Sequence, residues 1–250
     1  MKKLLSQTKE SYSLAHGFSA VAIWLVAIPV GFEAIQHIVE YSIGMFQSND
    51  GIQAGAEENL RLIAGFFKVI SLMFVTVIVS RYFLHGNDLQ KAIKFSSGAI
   101  KYLAYLALFM VFALLYLSYG APILSSWIAS LNFGLSEKMN RLVPVLLFFA
   151  SMWHLQDATF KMFASILDDD DTTPISKKAT KYFINQSLPL FLLVVGPAMV
   201  LHYYLNWGAT DKNFVIQASM LIIDSFLVGV MAVLIGAVTW VVYRDARALR

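Results

Sequence analysis

Cysteine is absent from the 250-residue sequence. Its absence excludes disulfides, thiolate nucleophiles, cysteine-ligated iron–sulfur clusters and covalently attached c-type haem. The sequence also lacks a P-loop and the patterns G-x-G-x-x-G, H-E-x-x-H and G-x-S-x-G, so nucleotide-driven, metalloprotease and hydrolase chemistry have no support. No nucleic-acid-binding module is recognisable. These absences favour a protein that is not an enzyme, and the sequence predicts no cofactor.

Charged residues are scarce, at 14% of the sequence, whereas hydrophobic residues make up 58%. Soluble domains carry roughly 25% charged residues, so lipid is the expected surrounding of most of this chain. No segment outside the apolar runs reaches the roughly 50 residues of a small soluble domain. We therefore expect residues 1–250 to form a single membrane domain.

Six apolar segments each approach the roughly 20 residues that a helix needs to cross a bilayer. Their residues do not alternate between polar and apolar, as the strands of a membrane barrel do. The predicted fold is therefore all-α, a polytopic bundle of about six transmembrane helices. The predicted spans are residues 18–40, 62–84, 102–123, 142–166, 184–205 and 219–243. The first span is too long for a cleaved signal peptide, so we expect it to be retained.

Lysine and arginine residues are distributed unevenly among the segments outside these spans. Arg81 and Lys161, at the predicted cytoplasmic ends of the second and fourth spans, are counted with the loops that follow them. From the N-terminal segment through the successive loops to the C-terminal tail, the lysines and arginines then number three, one, four, two, four, one and three. Cytoplasmic loops of membrane proteins carry an excess of lysine and arginine. The alternation predicts that the N-terminus and the C-terminus are both cytoplasmic, and the short loops favour a bacterial inner membrane.

Two predicted cytoplasmic loops carry lysines spaced as in short helices that lie on a membrane surface. Anionic lipid headgroups are the expected partners of such lysines, although the same residues also serve as orientation signals. The lysines are Lys91, Lys94, Lys101, Lys177, Lys178 and Lys181. Besides the lipid bilayer, another membrane protein or a second copy of this chain is a candidate partner.

Ionisable side chains within a span are costly and usually face the interior of a bundle. Four polar residues of the first span share one helical face because of their i, i+3, i+4, i+7 spacing: Glu33, Gln36, His37 and Glu40. Lys68 on the second span lies at about the depth of Glu33, from the rise of an α-helix. The group is interpreted as a site for a proton, cation or metal ion, as a structural ion pair, or as a solvated helix end from which Lys68 extends to the surface.

The fourth span contains a second polar group, formed by His154, Asp157 and Lys161. Asp157 and Lys161 are four residues apart with the acid first, which favours an ion pair on one helix face. The group is interpreted either as an internal ion pair with a hydrogen-bonded histidine or as an inward-facing proton relay. The acidic run 168–171 that follows is expected to be a solvated loop.

The sixth span carries Asp224 among apolar residues, and its expected partner is Lys68, in competition with Glu33. Small residues on the same span permit close helix packing. These residues are Ser225, Gly229, Ala232 and Gly236, and we expect them to pack within the bundle rather than to form a dimer.

The intramembrane polar residues fit two functions. An accessory or assembly subunit of a membrane complex is slightly favoured, because helix breaks of the kind found in transporters occur only on the fifth span. The alternative is a transporter or channel for a small ion or solute that uses the intramembrane acidic and histidine residues. A remote alternative is a membrane haem or metal protein, since His37 and His202 fall at similar depths.

Overall fold

The computed structural model describes residues 2–56, 58–131, 134, 136–154, 156–169 and 176–249. Throughout these residues the chain is helical, with short turns and no strand. The chain divides into two compact units. The first unit comprises Met1–Lys94 and Tyr182–Arg250, and the second unit comprises Phe95–Lys181.

The helices of the first unit come from both ends of the chain. Its N-terminal part contains α1 (Lys2–Val21), α2 (Ile23–Ser42), α3 (Asn49–Ala56), α4 (Asn59–Leu84) and α5 (Leu89–Ile93). The second unit contains α6 (Ser97–Leu115), a π-helical turn (Tyr116–Gly120), α7 (Ala121–Ser130), α8 (Glu137–His154) and α9 (Gln156–Leu167). Helix α10 (Lys177–Val194) begins in the second unit and ends in the first, where α11 (Gly196–Gly208) and α12 (Phe214–Arg247) follow.

Within the described residues, three helices are long and apolar enough to cross a membrane, namely α2, α4 and α12, and the bent pair α10–α11 can form a fourth span. These helices correspond to the predicted spans 18–40, 62–84, 219–243 and 184–205. The predicted spans 102–123 and 142–166 fall on α6–α7 and α8–α9, which do not meet the same measure over the described residues. The long apolar helices fit a membrane protein, and the number of six spans stays a prediction.

Helix α12 forms the centre of the first unit, where it contacts α1, α2, α4 and α11. Its 34 residues give a length of about 51 Å at 1.5 Å per residue. The hydrocarbon core of a bilayer is about 30 Å thick, so α12 is long enough to extend beyond it. Polar regions lie near both ends of this helix, around Asp224 and around Asp245.

Two glycines let α2 and α4 approach α12 closely. A Cβ atom on Gly229 would lie 2.6 Å from Cγ2 of Val30 on α2. A Cβ atom on Gly236 would lie 2.5 Å from Cβ of Val79 on α4. Both distances are too short for carbon atoms in van der Waals contact, so any side chain at either position would push the helices apart.

Hydrogen bonds between helices accompany the close approach of α4 to α12. The hydroxyl of Thr76 donates to the carbonyl of Ala232 at 3.1 Å, and the hydroxyl of Ser80 donates to the carbonyl of Gly236 at 3.0 Å. Such bonds hold helices together where lipid offers no competing water. The small residues of α12 predicted to mediate packing are all buried within the first unit: Ser225, Gly229, Ala232 and Gly236.

Helices α10 and α11 are bent by 49° at the break between Val194 and Gly196. Pro197 lies in the first turn of α11 and has no N–H to donate to a carbonyl of α10. Its ring would also clash with the preceding turn, so the helix cannot continue straight. The hydroxyl of Tyr12 on α1 donates to the carbonyl of Val194 at 2.9 Å, which satisfies an acceptor at the break.

A buried arginine fixes the short helix α5 against α4. The Nε of Arg81 donates to the carbonyl of Ala92 at 2.8 Å, and its Nη2 donates to the carbonyls of Lys91 and Lys94 at 3.2 and 2.8 Å. The last carbonyls of a helix lack partners within the helix, so the guanidinium caps α5. Arg81 is 1% exposed, and it thus acts as a structural cap in addition to its place in the predicted charge pattern.

In the second unit, Asp168 connects the end of α9 to the start of α6. Ser96 caps α6 by accepting a hydrogen bond from the backbone N–H of Ala99 at 3.0 Å. The backbone N–H and the hydroxyl of Ser96 both donate to the carboxylate of Asp168. The first aspartate of the acidic run therefore takes part in a helix cap, whereas residues 170 and 171 lie outside the described residues.

Candidate functional site

Nine polar side chains come together in the first unit among α2, α4, α11 and α12, and we call them the His37 cluster. Its members are Glu33, Gln36, His37 and Glu40 of α2, Arg61 and Lys68 of α4, His202 and Asn206 of α11, and Asp224 of α12. Glu33 and Asp224 are both 0% exposed. The four helices thus enclose the ionisable groups that the sequence places on the first, second and sixth predicted spans.

The imidazole of His37 is at the centre of the cluster. Its Nδ1 lies 2.9 Å from Oε2 of Glu40, and its Nε2 lies 3.0 Å from Oδ2 of Asp224 and 3.3 Å from Oε1 of Glu33. A neutral imidazole has one N–H and one lone pair. In the neutral ring one nitrogen would therefore direct its lone pair at a carboxylate oxygen, so the arrangement favours a proton or a metal ion on His37.

Glu33 connects α2 to α4. Its Oε2 lies 2.9 Å from Nζ of Lys68. Its Oε1 is buried and accepts no hydrogen bond within the described part of the chain. A buried acceptor without a hydrogen bond costs free energy, so Oε1 is available to a further cation. The side chain of Lys68 is 17% exposed and that of Arg61 is 26% exposed, so both cations of the cluster reach the surface.

Asp224 joins three helices rather than pairing with Lys68, which contacts Glu33 instead. The carboxylate of Asp224 contacts His37 from α2. Its Oδ1 lies 2.7 Å from Nδ1 of His202, and its Oδ2 accepts a hydrogen bond from Nδ2 of Asn206 at 2.6 Å. Asp224 is thus held from α2 and from α11.

Glu40 orients the ring of His37. Its Oε1 accepts hydrogen bonds from Nε2 of Gln36 at 2.7 Å and from Nε of Arg61 at 2.9 Å. Its Oε2 contacts Nδ1 of His37. Both oxygens of Glu40 are therefore occupied, and the ring presents Nε2 to Glu33 and Asp224.

The charges of the cluster do not balance when both histidines are neutral. Three carboxylates, those of Glu33, Glu40 and Asp224, face two cationic side chains, those of Arg61 and Lys68. The cluster then carries one negative charge in excess. An uncompensated charge in a buried position is costly, so the cluster favours the uptake of one positive charge.

The segment that follows α2 covers one side of the cluster. The ring of Phe46 contacts the imidazole of His37, with ring centroids 6.2 Å apart. The carbonyl of Phe46 accepts hydrogen bonds from Nε2 of Gln217 at 3.3 Å and from the backbone N–H of Asp211 at 3.0 Å. These bonds hold the segment against the start of α12, so that Phe46 shields His37.

An apolar cleft between α2 and α12 reaches His37 from another side. Its volume is about 300 Å³. Its lining includes Ile38, Tyr41, Phe214, Leu221 and Ile222. Arg61 and Lys68, the two permanent cations of the cluster, do not line this cleft.

The histidines do not fit the axial ligation of a haem. A bis-histidine haem needs one free nitrogen from each ring on opposite sides of the iron. Both nitrogens of His37 contact carboxylates, and His202 contacts the same Asp224. The two rings therefore share a carboxylate, and no haem fits between them in this arrangement.

The second predicted polar group belongs to the second unit. Lys161 is exposed on α9 in the second unit. The side chains of His154 and Asp157 lie outside the described residues, so their proposed pairing with Lys161 stays a prediction. The lysines expected at lipid headgroups are all exposed: Lys91, Lys94, Lys101, Lys177, Lys178 and Lys181.

Three members of the cluster are not predicted as site residues from the sequence. The sequence suggests His202 only as a haem ligand and Arg61 only as one of the charges that indicate orientation. It suggests no role for Asn206. His202 and Asn206 are four residues apart, which places them on one helix face. Two polar residues at this spacing in an otherwise apolar segment indicate a polar helix face, and this pattern could have marked both as site residues.

A second polar region, the Asp245 network, joins α1, α10 and α12 at the other end of α12. Its members are Lys3, Gln7, Glu10, Tyr182, Gln186, Arg244 and Asp245. Oδ2 of Asp245 lies 3.3 Å from Nζ of Lys3 and accepts hydrogen bonds from Gln7 at 3.1 Å and Tyr182 at 3.2 Å. Asp245 thus has partners on α1 and α10.

Permanent cations compensate the acids of the Asp245 network. Arg244 forms an ion pair with Glu10 and contacts Oδ1 of Asp245 at 2.9 Å. Tyr182 and Asp245 raise the pKa of Lys3 above its ordinary value, because the phenol oxygen and the carboxylate both stabilise its ammonium. The network therefore needs no further cation.

Comparison with known proteins adds no named relative to this description. No protein-family model, curated protein or solved structure matches the chain. A function is therefore inferred from the geometry of the His37 cluster.

Proposed function

We propose that this chain is a multi-pass protein of a bacterial inner membrane that transports a proton or another small cation through the His37 cluster. In this proposal the chain forms about six spans, and both termini are cytoplasmic. The long apolar helices support a location in a membrane. The chemistry of the buried cluster supports the transport of a cation.

The environment of His37 carries the proposal. Three carboxylates lie within 3.3 Å of its two ring nitrogens. A cation or proton bound here replaces an unfavourable contact between lone pairs by an attractive one, and its departure restores the excess negative charge. Of the side chains in the cluster, only the imidazoles have an ordinary pKa near neutral pH, so His37 is the group at which a proton binds in this proposal.

The broken helix pair α10–α11 gives further support. Transporters commonly build their sites from discontinuous membrane helices, which bring polar groups to a buried position. Here α11 begins after the 49° bend and carries His202 and Asn206 to Asp224. The ends of α10 and α11 can change orientation at the break without disrupting a continuous helix.

Flux measurements with the purified full-length chain in liposomes test the proposal. One liposome population contains a pH-sensitive dye and another contains a fluorescent indicator for divalent metal ions. We expect protein-dependent flux of at least one cation, and we expect Asp224→Asn to reduce it at least about tenfold. The amide removes the charge but keeps the size of the side chain and a hydrogen-bond acceptor.

Asp245→Asn is the matched control, because it makes the same change on the same helix outside the cluster. Its flux should equal that of the unaltered chain. Glu33→Gln provides a second variant, and circular dichroism and size-exclusion chromatography establish that each variant is folded. Flux equal to that of empty liposomes, or unchanged flux in both Asp224→Asn and Glu33→Gln, would contradict transport.

An accessory or assembly subunit is the competing function, and the pairing between helices favours it. Glu33 and Glu40 contact Lys68 and Arg61 across α2 and α4. Such pairs can hold helices in register without moving an ion. In that case Glu33→Gln would retain function, whereas Gly229→Leu would abolish assembly. Mild-detergent purification from the native membrane distinguishes the two functions, since an accessory subunit brings a stoichiometric partner.

A further inference from the structure

Three buried side chains of the His37 cluster each offer one ligand atom within 4.8 Å of the others: Glu33, His37 and Asp224. Zinc and similar ions bind nitrogen and oxygen at about 2.0–2.1 Å, so tetrahedral ligands lie about 3.3 Å apart. Nε2 of His37 lies 3.0 Å from Oδ2 of Asp224 and 3.3 Å from Oε1 of Glu33. Both separations suit an ion bound to His37 and a carboxylate, and the 4.8 Å limit that holds for all three ligand atoms lets the same ion contact both carboxylates.

The Oε1 atom of Glu33 is a second observation that points to a cation site. Glu33 is 0% exposed, and its Oε1 accepts no hydrogen bond within the described residues. The same oxygen points toward Nε2 of His37. Native proteins rarely leave a buried carboxylate oxygen without a partner, and a metal ion between Oε1 and Nε2 would supply one.

The residues around the three ligands form the support that metal sites require. A metal-binding histidine usually donates its other N–H to a carboxylate, which fixes the ring. Glu40 contacts Nδ1 of His37 in this way and is itself held by Gln36 and Arg61. The carboxylate of Asp224 is likewise held by hydrogen bonds, from Asn206 and His202.

Lys68 explains how a divalent ion can be accepted without excess charge. Its ammonium contacts Oε2 of Glu33, but its side chain is 17% exposed and long enough to extend to the surface. When Lys68 moves away, Arg61 is the one permanent cation left opposite the three carboxylates of Glu33, Glu40 and Asp224. The cluster then carries two negative charges in excess. A divalent ion then neutralises the cluster, so Lys68 and the metal ion compete for the negative charge of the carboxylates.

We propose that Glu33, His37 and Asp224 bind a divalent transition-metal ion such as Zn²⁺, in competition with the ammonium of Lys68. One imidazole and two carboxylates suit Zn²⁺, Mn²⁺ or Fe²⁺, whereas Mg²⁺ and Ca²⁺ prefer oxygen ligands throughout. The role of the bound ion as a transported substrate rests on the proposed function. Its binding is measured separately.

Calorimetric titration of the full-length chain in mild detergent with ZnCl₂ tests the site, after treatment with a chelator. We expect one Zn²⁺ ion per chain and no comparable heat with MgCl₂. Glu40→Gln should weaken binding about 10–100-fold, as is usual for a residue that orients a metal-binding histidine. Asp224→Asn and Glu33→Gln remove direct ligands, so each should weaken binding more than Glu40→Gln does.

The Zn²⁺ affinity of Lys68→Met distinguishes a metal site from a cluster that only holds helices together. Removal of the competing ammonium should strengthen Zn²⁺ binding at least about threefold. Lys3→Met is the matched control, since it removes a lysine from the Asp245 network, and it should leave the affinity unchanged. The visible spectrum of bound Co²⁺ should indicate four-coordinate geometry and should change in Glu33→Gln.

The outcomes separate the metal site from the transport function. The metal site is overturned by the absence of stoichiometric Zn²⁺ binding, or by equal affinity in the unaltered chain, Asp224→Asn and Glu33→Gln. Proton flux without Zn²⁺ binding overturns the metal site and leaves transport standing. Stoichiometric Zn²⁺ binding that depends on all three ligands, without flux of any cation, supports the metal site and overturns transport.

Discussion

Helix α12 carries two aspartates with partners on neighbouring helices, and the two differ in what compensates their charge. Asp224 and Asp245 are 21 residues apart, about 31 Å along the helix. Asp224 has a side-chain exposure of 0% and contacts two imidazoles and an amide. Asp245 has a side-chain exposure of 18% and contacts Lys3 and Arg244.

The two regions differ in whether the positive charge that faces the aspartate is permanent. Lysine and arginine remain charged throughout the physiological pH range, so the Asp245 network is electrically complete. Imidazoles carry a charge only when protonated, so the charge of the His37 cluster depends on what it binds. The same residue type thus lies in two different electrostatic environments on one helix.

Removal of the two aspartate side chains should have unequal effects on stability. Asp224→Ala should lower the free energy of unfolding by about 3 kcal/mol, because it leaves buried polar partners on α2 and α11 without an acceptor. Asp245→Ala should lower it by about 1 kcal/mol or less, because solvent reaches that network. Unfolding by SDS in mixed micelles measures both values, and equal losses would contradict the distinction.

The close packing of α2 on α12 should be necessary for the His37 cluster. Gly229→Ala places a methyl group within 2.6 Å of Val30, so it should lower the free energy of unfolding by about 1–3 kcal/mol. It should also weaken Zn²⁺ binding by separating His37 from Asp224. Gly31→Ala on α2 is the matched control, because a Cβ there meets nothing within 4 Å. A similar loss in both variants would show that packing at Gly229 is not specific.

Salt should affect the two regions differently, and this is the smallest expected effect. The Debye length falls from about 10 Å at 0.1 M salt to about 3 Å at 1 M. A double-mutant cycle between Lys3 and Asp245 should give a coupling below about 1 kcal/mol that decreases with salt, because Lys3 is 63% exposed. The coupling between Glu33 and Lys68 should change less. Equal salt dependence of the two couplings would contradict the view that the His37 cluster is shielded from solvent and the Asp245 network is not.

Much of the α2 side of the cluster is predictable from spacing. Glu33, Gln36, His37 and Glu40 share a face because an α-helix has 3.6 residues per turn, and the structure brings all four together. The equal depth of Glu33 and Lys68 follows from the rise per residue. These are local properties of a helix, so they do not require knowledge of its neighbours.

The contribution of α11 is not predictable in the same way. His202 and Asn206 reach Asp224 only because α11 changes direction at the break before Pro197 and packs on α12. A sequence marks the proline but does not specify the direction of the bend. The predicted partner of Asp224, Lys68, was wrong because Glu33 on the adjacent helix lies nearer to Lys68.

The sequence by itself determined that lipid is the expected surrounding of this chain and that polar groups occupy one face of α2. Both follow from composition and helical periodicity, which are properties of consecutive residues. The tertiary structure alone decided that three carboxylates surround His37 and that α12 separates this cluster from the Asp245 network. The physical reason is that the rotation and pairing of helices depend on contacts between distant segments, such as the fit of α2 and α4 against the glycines of α12.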